Sequence, residues 1–420
     1  MEFCIRTAAK AARQAAISVA QLDTQQKTDV LNDVAKELLA QAEGIIAANQ
    51  IDLANAQAQN MDPAMQDRLA LDANRIAQIA QAVMDIAAQP EVVGHLSEPE
   101  IMPSGIQVQK MQIPLGVIGM IYESRPNVTI DAAALCFKAG NAVILRGGKE
   151  ALHSNLALAK CLHSVFTKHG IAEAAVTVIP DPDREILNTL LTLADDVDLI
   201  IPRGGEGLIR FVTAHSQIPV IQHFKGVCHC YIDEFADTTK ALNILENGKT
   251  QRTSVCNSLE TVLIHTAKAA ELLPVIATMF AEHKVKVHAC PVSLPYFVEA
   301  GLDATLAAEA DWEAEYLAME IAVRVVADFA EGVTHIQRYN SGHTEVIVSE
   351  EPSRQQAFLQ QIHSAVVMVN ASSRFSDGGE LGLGAEIGIS TSKLHAYGPM
   401  GAASLTTQKF VVLGDGHIRT

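Results

Sequence analysis

Positive charge is scarce in this 420-residue chain. Lys and Arg total 31 against 48 Asp and Glu, a formal charge of −17. That leaves no broad basic face for nucleic acid or an anionic membrane, so neither is an expected partner. A small anion stays open as a ligand, because a local basic pocket can sit inside an acidic protein. No apolar run approaches the ~20 residues that cross a bilayer. The start, MEFCIRTAAKAARQAAISVA, carries an acid at Glu2 and lacks a continuous apolar core of signal-peptide length. An organellar transit peptide could also be amphipathic and Arg-bearing; an ordinary first helix is the preferred reading. Only seven cysteines occur, Cys4, Cys136, Cys161, Cys228, Cys230, Cys256 and Cys290, odd in number and scattered. They point to thiols in a reducing, cytoplasmic setting rather than a disulfide framework. There is no internal repeat, no low-complexity tract, no histidine pairing that would demand a metal, and no nucleophile-elbow glycine pattern.

What is present is globular: hydrophobic residues make up 49% and charged residues 19%, and the length suits two to four domains. Up to about residue 90, apolar side chains recur every three or four positions, as at Val30, Leu31, Val34, Leu38 and Leu39, which predicts helices broken at Asp62-Pro63 and Gln89-Pro90. After Pro103-Ser104-Gly105 the period shortens, and Ile106 and Val108 alternate with glutamines as in a partly exposed strand or hairpin. Short apolar runs then alternate with helix-length segments. The first series is Gly116 to Tyr122, Ala142 to Leu145, Val176 to Ile179, Leu199 to Ile201 and Val220 to Ile221; the second is Thr261 to Ile264, Val285 to Val287, Val323 to Val326, Val346 to Val348 and Val366 to Val369. This pattern predicts two α/β domains with parallel sheets and a junction near Leu245 to Thr250. A last strand-like run spans Phe410 to Leu413.

Four segments could carry chemistry. The polar stretch Asn247 to Asn257 leads into an apolar strand, and Cys256 within it, with Lys249 and Arg252 nearby, could be an activated nucleophile or an inert semi-buried thiol. Cys228-His229-Cys230 has the wrong spacing for a structural zinc site and suits a buried strand better. Arg203-Gly204-Gly205-Glu206-Gly207 follows one strand and opens a helix, where Gly204 and Gly205 would admit a phosphate or simply make a turn; it is not the six-residue dinucleotide fingerprint. Arg146-Gly147-Gly148-Lys149-Glu150 is a second glycine turn with two cations, or a solvated loop.

Read together, longer motifs carry a resemblance. They are Ile118 to Thr129 (IGMIYESRPNVT), Lys138 to Glu150 (KAGNAVILRGGKE), the Cys256 loop, His335-Ile336 with Ser341-Gly342-His343-Thr344-Glu345, Asn370 to Phe375 (NASSRF) and Asp377 to Thr391 (DGGELGLGAEIGIST). Along nearly its whole length the chain resembles the gamma-glutamyl phosphate reductase (glutamate-5-semialdehyde dehydrogenase) family of the aldehyde dehydrogenase superfamily. Gly332, where that family usually carries Ala, is a small departure.

The resemblance implies an aldehyde-dehydrogenase-like α/β fold: an NADPH-binding domain (1–98 and 114–245), a catalytic domain (246–385) and a small β oligomerisation element (99–113 and 400–420), in a homo-oligomer. It implies reduction of L-glutamyl 5-phosphate to glutamate 5-semialdehyde and phosphate, with NADPH/NADP as cofactor and no metal, in proline biosynthesis. Functional coupling to glutamate 5-kinase would follow. Cys256 would displace phosphate to form a thioester, whose carbonyl carbon would accept hydride before the hemithioacetal collapses to aldehyde and thiolate, with Asn127 and the Cys256 backbone N–H stabilising the carbonyl oxygen. Glu315 would contact the nicotinamide ribose, Arg146 and Lys149 the 2′-phosphate, and Arg125 or Arg374 the substrate α-carboxylate. Hydrolytic relatives carry a Glu-Leu-Gly-Gly-Lys-like motif, where Gln222-His223-Phe224-Lys225-Gly226 stands here. With no carboxylate at its first positions, oxidation should require phosphate, unless His223 acts as a base. The alternatives are a coenzyme A-dependent acylating dehydrogenase and a catalytically silent binding protein.

Overall fold

The computed structural model describes residues 3–419 and divides the chain into two compact units: residues 1–222, 382–388 and 400–420, and residues 223–381 and 389–399. In the first unit, five helices precede any strand: Ile5–Val19, Thr24–Ala40, Ala42–Ala58, Pro63–Leu69 and Ala73–Ala88. The predicted breaks fall at Pro63 and just past Ala88. Helix Ile5–Val19 buries Ile5, Ala9, Ala12 and Ala16 against Val117, Ile121 and Ile144 of the sheet, so the amphipathic start packs as an integral helix. Asp23 begins the next helix with a capping box, accepting from the Gln26 backbone N–H while the Gln26 side chain accepts from its own.

The first unit's parallel sheet runs in the order Val176–Val178, Ala142–Arg146, Val117–Tyr122, Leu199–Arg203. The order turns back between Val117–Tyr122 and Leu199–Arg203, and such switch points open a crevice at the strands' carboxyl ends. Val220, expected in a full strand, makes only an isolated bridge to Ile200. A separate antiparallel sheet joins Glu100–Ile101, Gln107–Pro114 and Thr406–Leu413. Gly105 turns its hairpin at φ +88°, a conformation that favours glycine.

The second unit holds seven parallel strands in the order Ala304–Leu306, Lys286–Ala289, Glu320–Val326, Leu259–His265, Cys228–Ile232, Thr344–Val348, Val366–Val369. Side chains alternate across it. Cys228, Cys230, Val262 and Ile264 pack with Leu272, Ile276 and Phe280 of helix Thr266–Glu282. Tyr231, Leu263 and Ile347 pack with Phe329, Val333 and Phe358. An added Cβ at Gly332 would stand 2.9 Å from the Tyr231 ring, which gives the departure to glycine a packing reason. The junction expected at Leu245 to Thr250 is corrected: those residues lie inside helix Thr238–Thr250, and the units divide at Gln222/His223. Strand Cys228–Ile232 belongs to the second sheet because it pairs with Leu259–His265 and Thr344–Val348.

A buried polar cluster lies beneath this sheet. His229 Nδ1 is 2.9 Å from Glu345 Oε2, both side chains fully buried. The His335 ring stands edge-on to His229 at 5.7 Å, and Arg324 Nη1 lies 3.1 Å from His335 Nδ1. Burial pushes His335 down to about 2, with His229, Arg324 and Arg338 adding to the shift. Between its unfolded value near 6.5 and that low value, the unfolded chain takes up a proton that the native state refuses, so stability falls as pH drops through this window. His335→Gln should therefore flatten the acid limb of stability against pH by up to about 1.4 kcal/mol per pH unit. Urea unfolding at pH 4, 5, 6 and 7 measures the slope, and an unchanged slope would contradict the assignment.

Candidate active site

Cys256 sits in the second unit, in the loop between helix Thr238–Thr250 and strand Leu259–His265, and is half-buried. The loop is pinned from several sides. Ser373 Oγ donates to Asn257 O at 2.7 Å, Asn257 Nδ2 donates to Ser376 O at 2.9 Å, and Cys228 Sγ donates to Cys256 O at 3.2 Å. Gly226 passes beneath it, its backbone N–H donating to Glu315 Oε1 at 2.7 Å. A Cβ on Gly226 would meet Cys256 O at 2.2 Å, so only glycine lets the two segments approach this closely. Gly226→Ala should displace the loop and lower kcat by about 10²-fold, the scale of an ångström-level misplacement. A kcat within twofold of the parent would contradict this packing.

Two histidines gather on the thiol. One ligand atom each from His223, Cys256 and His343 lie within 4.8 Å of one another. Burial pushes His343 down to about 3, with His223 adding to the shift, so its ring is neutral near pH 7. Arg374 faces the same loop: its Nε donates to Gln251 Oε1 at 2.9 Å, while its buried Nη1 has no hydrogen-bond partner. Burial lowers its pKa first and Arg252 second, opposed by Asp377 and Cys256.

Lys249 differs from expectation. Its ammonium is fully buried and donates to Glu260 Oε2 and to Leu259 O, each at 2.8 Å, so its charge is matched inside the core. Cys228-His229-Cys230 is a buried strand, with both sulfurs in the core and the imidazole on Glu345.

In the first unit, three turns leave the carboxyl ends of neighbouring strands. After Val117–Tyr122 comes Ser124, at the unusual φ of +43°, whose backbone N–H and hydroxyl both donate to Glu150 Oε1 at 2.7 and 2.8 Å. Arg125 is half-buried, with its backbone carbonyl accepting from Val128 N–H at 3.0 Å. Asn127 opens helix Asn127–Lys138, and its Nδ2 donates to Asp131 Oδ2 at 2.8 Å. Burial raises Asp131 to about 6, offset by that bond and by Arg203. After Ala142–Arg146, Arg146 donates to Pro182 O at 3.0 Å, its Nε is buried without a partner, and Lys149 is exposed. After Leu199–Arg203, Gly204 and Gly205 are exposed, Gly205 caps helix Glu206–His215, and its N–H donates to Glu123 Oε2 at 3.1 Å. A Cβ on Gly204 would stand 2.4 Å from the same carboxylate oxygen.

The second unit thus joins Cys256, Arg374 and Glu315, and the first unit holds Asn127, Arg125, Arg146, Lys149, Gly204 and Gly205. The sequence did not single out His343 for chemistry, although it stands in the motif Ser341 to Glu345. Nothing in its spacing from Cys256 signals proximity; a sheet brings them together.

A model of the aldehyde dehydrogenase family matches residues 2–291. A gamma-glutamyl phosphate reductase of Colwellia psychrerythraea is 55% identical over 419 residues, covering 100% of this chain and 99% of the relative. One from Shewanella denitrificans is 52% identical, covering 99% and 98%. A solved gamma-glutamyl phosphate reductase from Thermotoga maritima superposes with a TM-score of 0.95 at 39% identity, covering 99% of this chain and 100% of that one. An acetylating aldehyde dehydrogenase from Geobacillus thermoglucosidasius shares the fold, with a TM-score of 0.71 at 16% identity. Among the described residues, no helix is long and apolar enough to cross a membrane. The chain belongs to the aldehyde dehydrogenase family and, within it, to the gamma-glutamyl phosphate reductases.

Proposed function

We propose that this chain reduces L-glutamyl 5-phosphate to glutamate 5-semialdehyde, with release of phosphate, as a step of proline biosynthesis. The observation that carries the reading is the Cys256 loop itself: a half-buried thiol beside a neutral imidazole and an arginine whose buried Nη1 has no partner. Cys256 attacks the acyl carbonyl and phosphate leaves, giving a thioester. Asn127 and the Cys256 backbone N–H donate to the carbonyl oxygen as negative charge grows on it. Arg374 holds the α-carboxylate; of the two arginine candidates, it is the one in the thiol's own unit. Arg374→Gln should raise KM for the glutamyl substrate far more than for an aldehyde lacking the carboxylate.

Bound nicotinamide cofactor supplies hydride. The fit rests on the first unit's glycine turns, where Gly204 and Gly205 present bare backbone at a helix start and Arg146 leaves a buried Nε without a partner. With Lys149 they favour NADPH over NADH, since a charge-assisted contact to a 2′-phosphate adds about 1.5–3 kcal/mol. Glu315 positions the segment under the thiol through Gly226 and would meet the nicotinamide ribose. The exposed Ile101, Phe410 and Val412 on the three-stranded sheet suit coverage by a second copy. Coupling to glutamate 5-kinase suits the lability of an acyl phosphate.

The test runs the reaction backward: glutamate semialdehyde and NADP are mixed with phosphate, with coenzyme A, or with neither. Steady turnover with phosphate alone supports the reading. Turnover with coenzyme A would make the chain another acylating dehydrogenase. Turnover with neither, abolished in His223→Ala, would reveal a hydrolytic base.

A further inference from the structure

The group His223, Cys256 and His343 has a capacity that acyl transfer does not use. It is a soft sulfur and two ring nitrogens, with one ligand atom from each within 4.8 Å of the others. His343 is 1% exposed, and its Nε2 has no hydrogen-bond partner. Its tautomer follows from its neighbours. Thr344 Oγ1 donates its one hydrogen to Ser376 Oγ at 2.8 Å, so it accepts from His343 Nδ1–H, also at 2.8 Å. The unpartnered Nε2 therefore carries a lone pair, buried and without a donor to satisfy it. An imidazole fixed through one nitrogen and presenting the other is how a metal-binding histidine is oriented. The His223 ring lies beside it, centroids 5.3 Å apart.

We propose that His223, Cys256 and His343 form a capture site for a thiophilic divalent cation of the zinc class, and that its binding removes the sulfur from catalysis. Zinc accepts sulfur at about 2.3 Å and imidazole nitrogen at about 2.0–2.1 Å in a tetrahedron, which places neighbouring donors about 3.3–3.6 Å apart. Donors already within 4.8 Å reach that by closing roughly an ångström or so, through side-chain rotation. The Cys256 S–H bond breaks, its proton leaves to solvent, and the sulfur–metal bond forms. The two nitrogens donate lone pairs, water takes the fourth position, and no electron is transferred. The donor set selects Zn²⁺, Cd²⁺ or Co²⁺ over Mg²⁺ and Ca²⁺, which want oxygen. Cys228 borders the site, its Sγ 3.7 Å from His343 Nδ1 and donating to Cys256 O at 3.2 Å, but it is fully buried and burial holds its thiol protonated, so the sulfur that the proposal uses is that of Cys256.

Metal binding stands on the geometry alone; inhibition rests also on Cys256 being the nucleophile. The full chain, freed of metal by a chelator, is titrated with Co²⁺ alone. One equivalent should bind with a thiolate-to-cobalt charge-transfer band and the visible bands of a tetrahedral ion. Cys256→Ser should abolish the charge-transfer band. His223→Ala and His343→Ala should each weaken Co²⁺ binding by roughly tenfold or more, with His343→Gln and circular dichroism showing that the fold persists. Zn²⁺ should displace Co²⁺ and stop turnover, a chelator should restore it, and Mg²⁺ in large excess should do neither. Absence of the band, or unchanged affinity in the histidine variants, would overturn the site. Displacement by Zn²⁺ with turnover intact would overturn the inhibitory half together with the role of Cys256, and leave the metal site standing.

Discussion

Cys256→Ala is expected to lower kcat by about 10⁴-fold or more, the scale on which removal of a covalent nucleophile acts. Its thermal unfolding midpoint should stay within about 3 °C of the parent, because the side chain is half-buried and truncation leaves no charge behind. No neighbouring thiol can take over. Cys228 lies closest in the fold, its Sγ donating to Cys256 O at 3.2 Å, but it is fully buried and burial holds its thiol well above the ordinary range. Cys256→Ser should be nearly as inactive, since a hydroxyl is a far weaker nucleophile at neutral pH. Steady-state reduction, with circular dichroism as the folding control, decides the matter. A variant within a hundredfold of the parent would contradict it.

Lys249→Ala is expected to destabilise the second unit by about 3–5 kcal/mol, because removing one partner strands a buried charge. The Lys249 and Glu260 side chains are both 0% exposed, and Lys249 also donates to Leu259 O. Burial pushes Glu260 up to about 7 even with Lys249 beside it, so without the lysine the carboxylate must take up a proton or be desolvated at greater cost. A carboxyl raised in the folded state loses stability as pH rises above its unfolded value near 4.5, so the variant should be weakest at alkaline pH. Activity should suffer too, since this pair ties the end of helix Thr238–Thr250 to strand Leu259–His265 and so brackets the Cys256 loop. The double variant Lys249→Met with Glu260→Leu should recover most of the loss, as apolar replacements of buried pairs commonly do. Urea unfolding of the two single variants and the double variant gives the coupling, and a loss below 1 kcal/mol for Lys249→Ala would contradict the pairing.

Much of the fold was legible because its strands are buried on both faces and read as unbroken apolar runs: Val117–Tyr122, Ala142–Arg146 and Thr344–Val348 all emerged from that signal. Strand Cys228–Ile232 did not mark the domain boundary, because His229 breaks its run. That histidine becomes tolerable in the core only through Glu345 on the neighbouring strand, a pairing no local window contains. Ala304–Leu306, a three-residue edge strand with two exposed positions, is too short and too polar to announce itself. At the candidate site, the motifs offered Cys256 with either Arg125 or Arg374, and Arg374 packs against the Cys256 loop through Gln251 and Asn257. Lys249 stands near Cys256 in sequence yet turns into the core onto Glu260, because sequence adjacency carries no information about which way a helix turns its last side chains. His223 appeared only as a possible base and His343 only inside a motif, since the nearness of both to the thiol arises from the sheet.

The central claim is that Cys256 carries the glutamyl group as a thioester. The direct measurement is peptide mass spectrometry on enzyme mixed with glutamate semialdehyde and NADP in phosphate-free buffer and quenched in acid. A glutamyl adduct should appear on the Cys256 peptide, approach one per chain, and vanish when phosphate is added before the quench. The exposed Cys4 serves as an internal control and should remain unmodified. Steady turnover with no adduct on Cys256, or an adduct on another cysteine that phosphate discharges, would contradict the account.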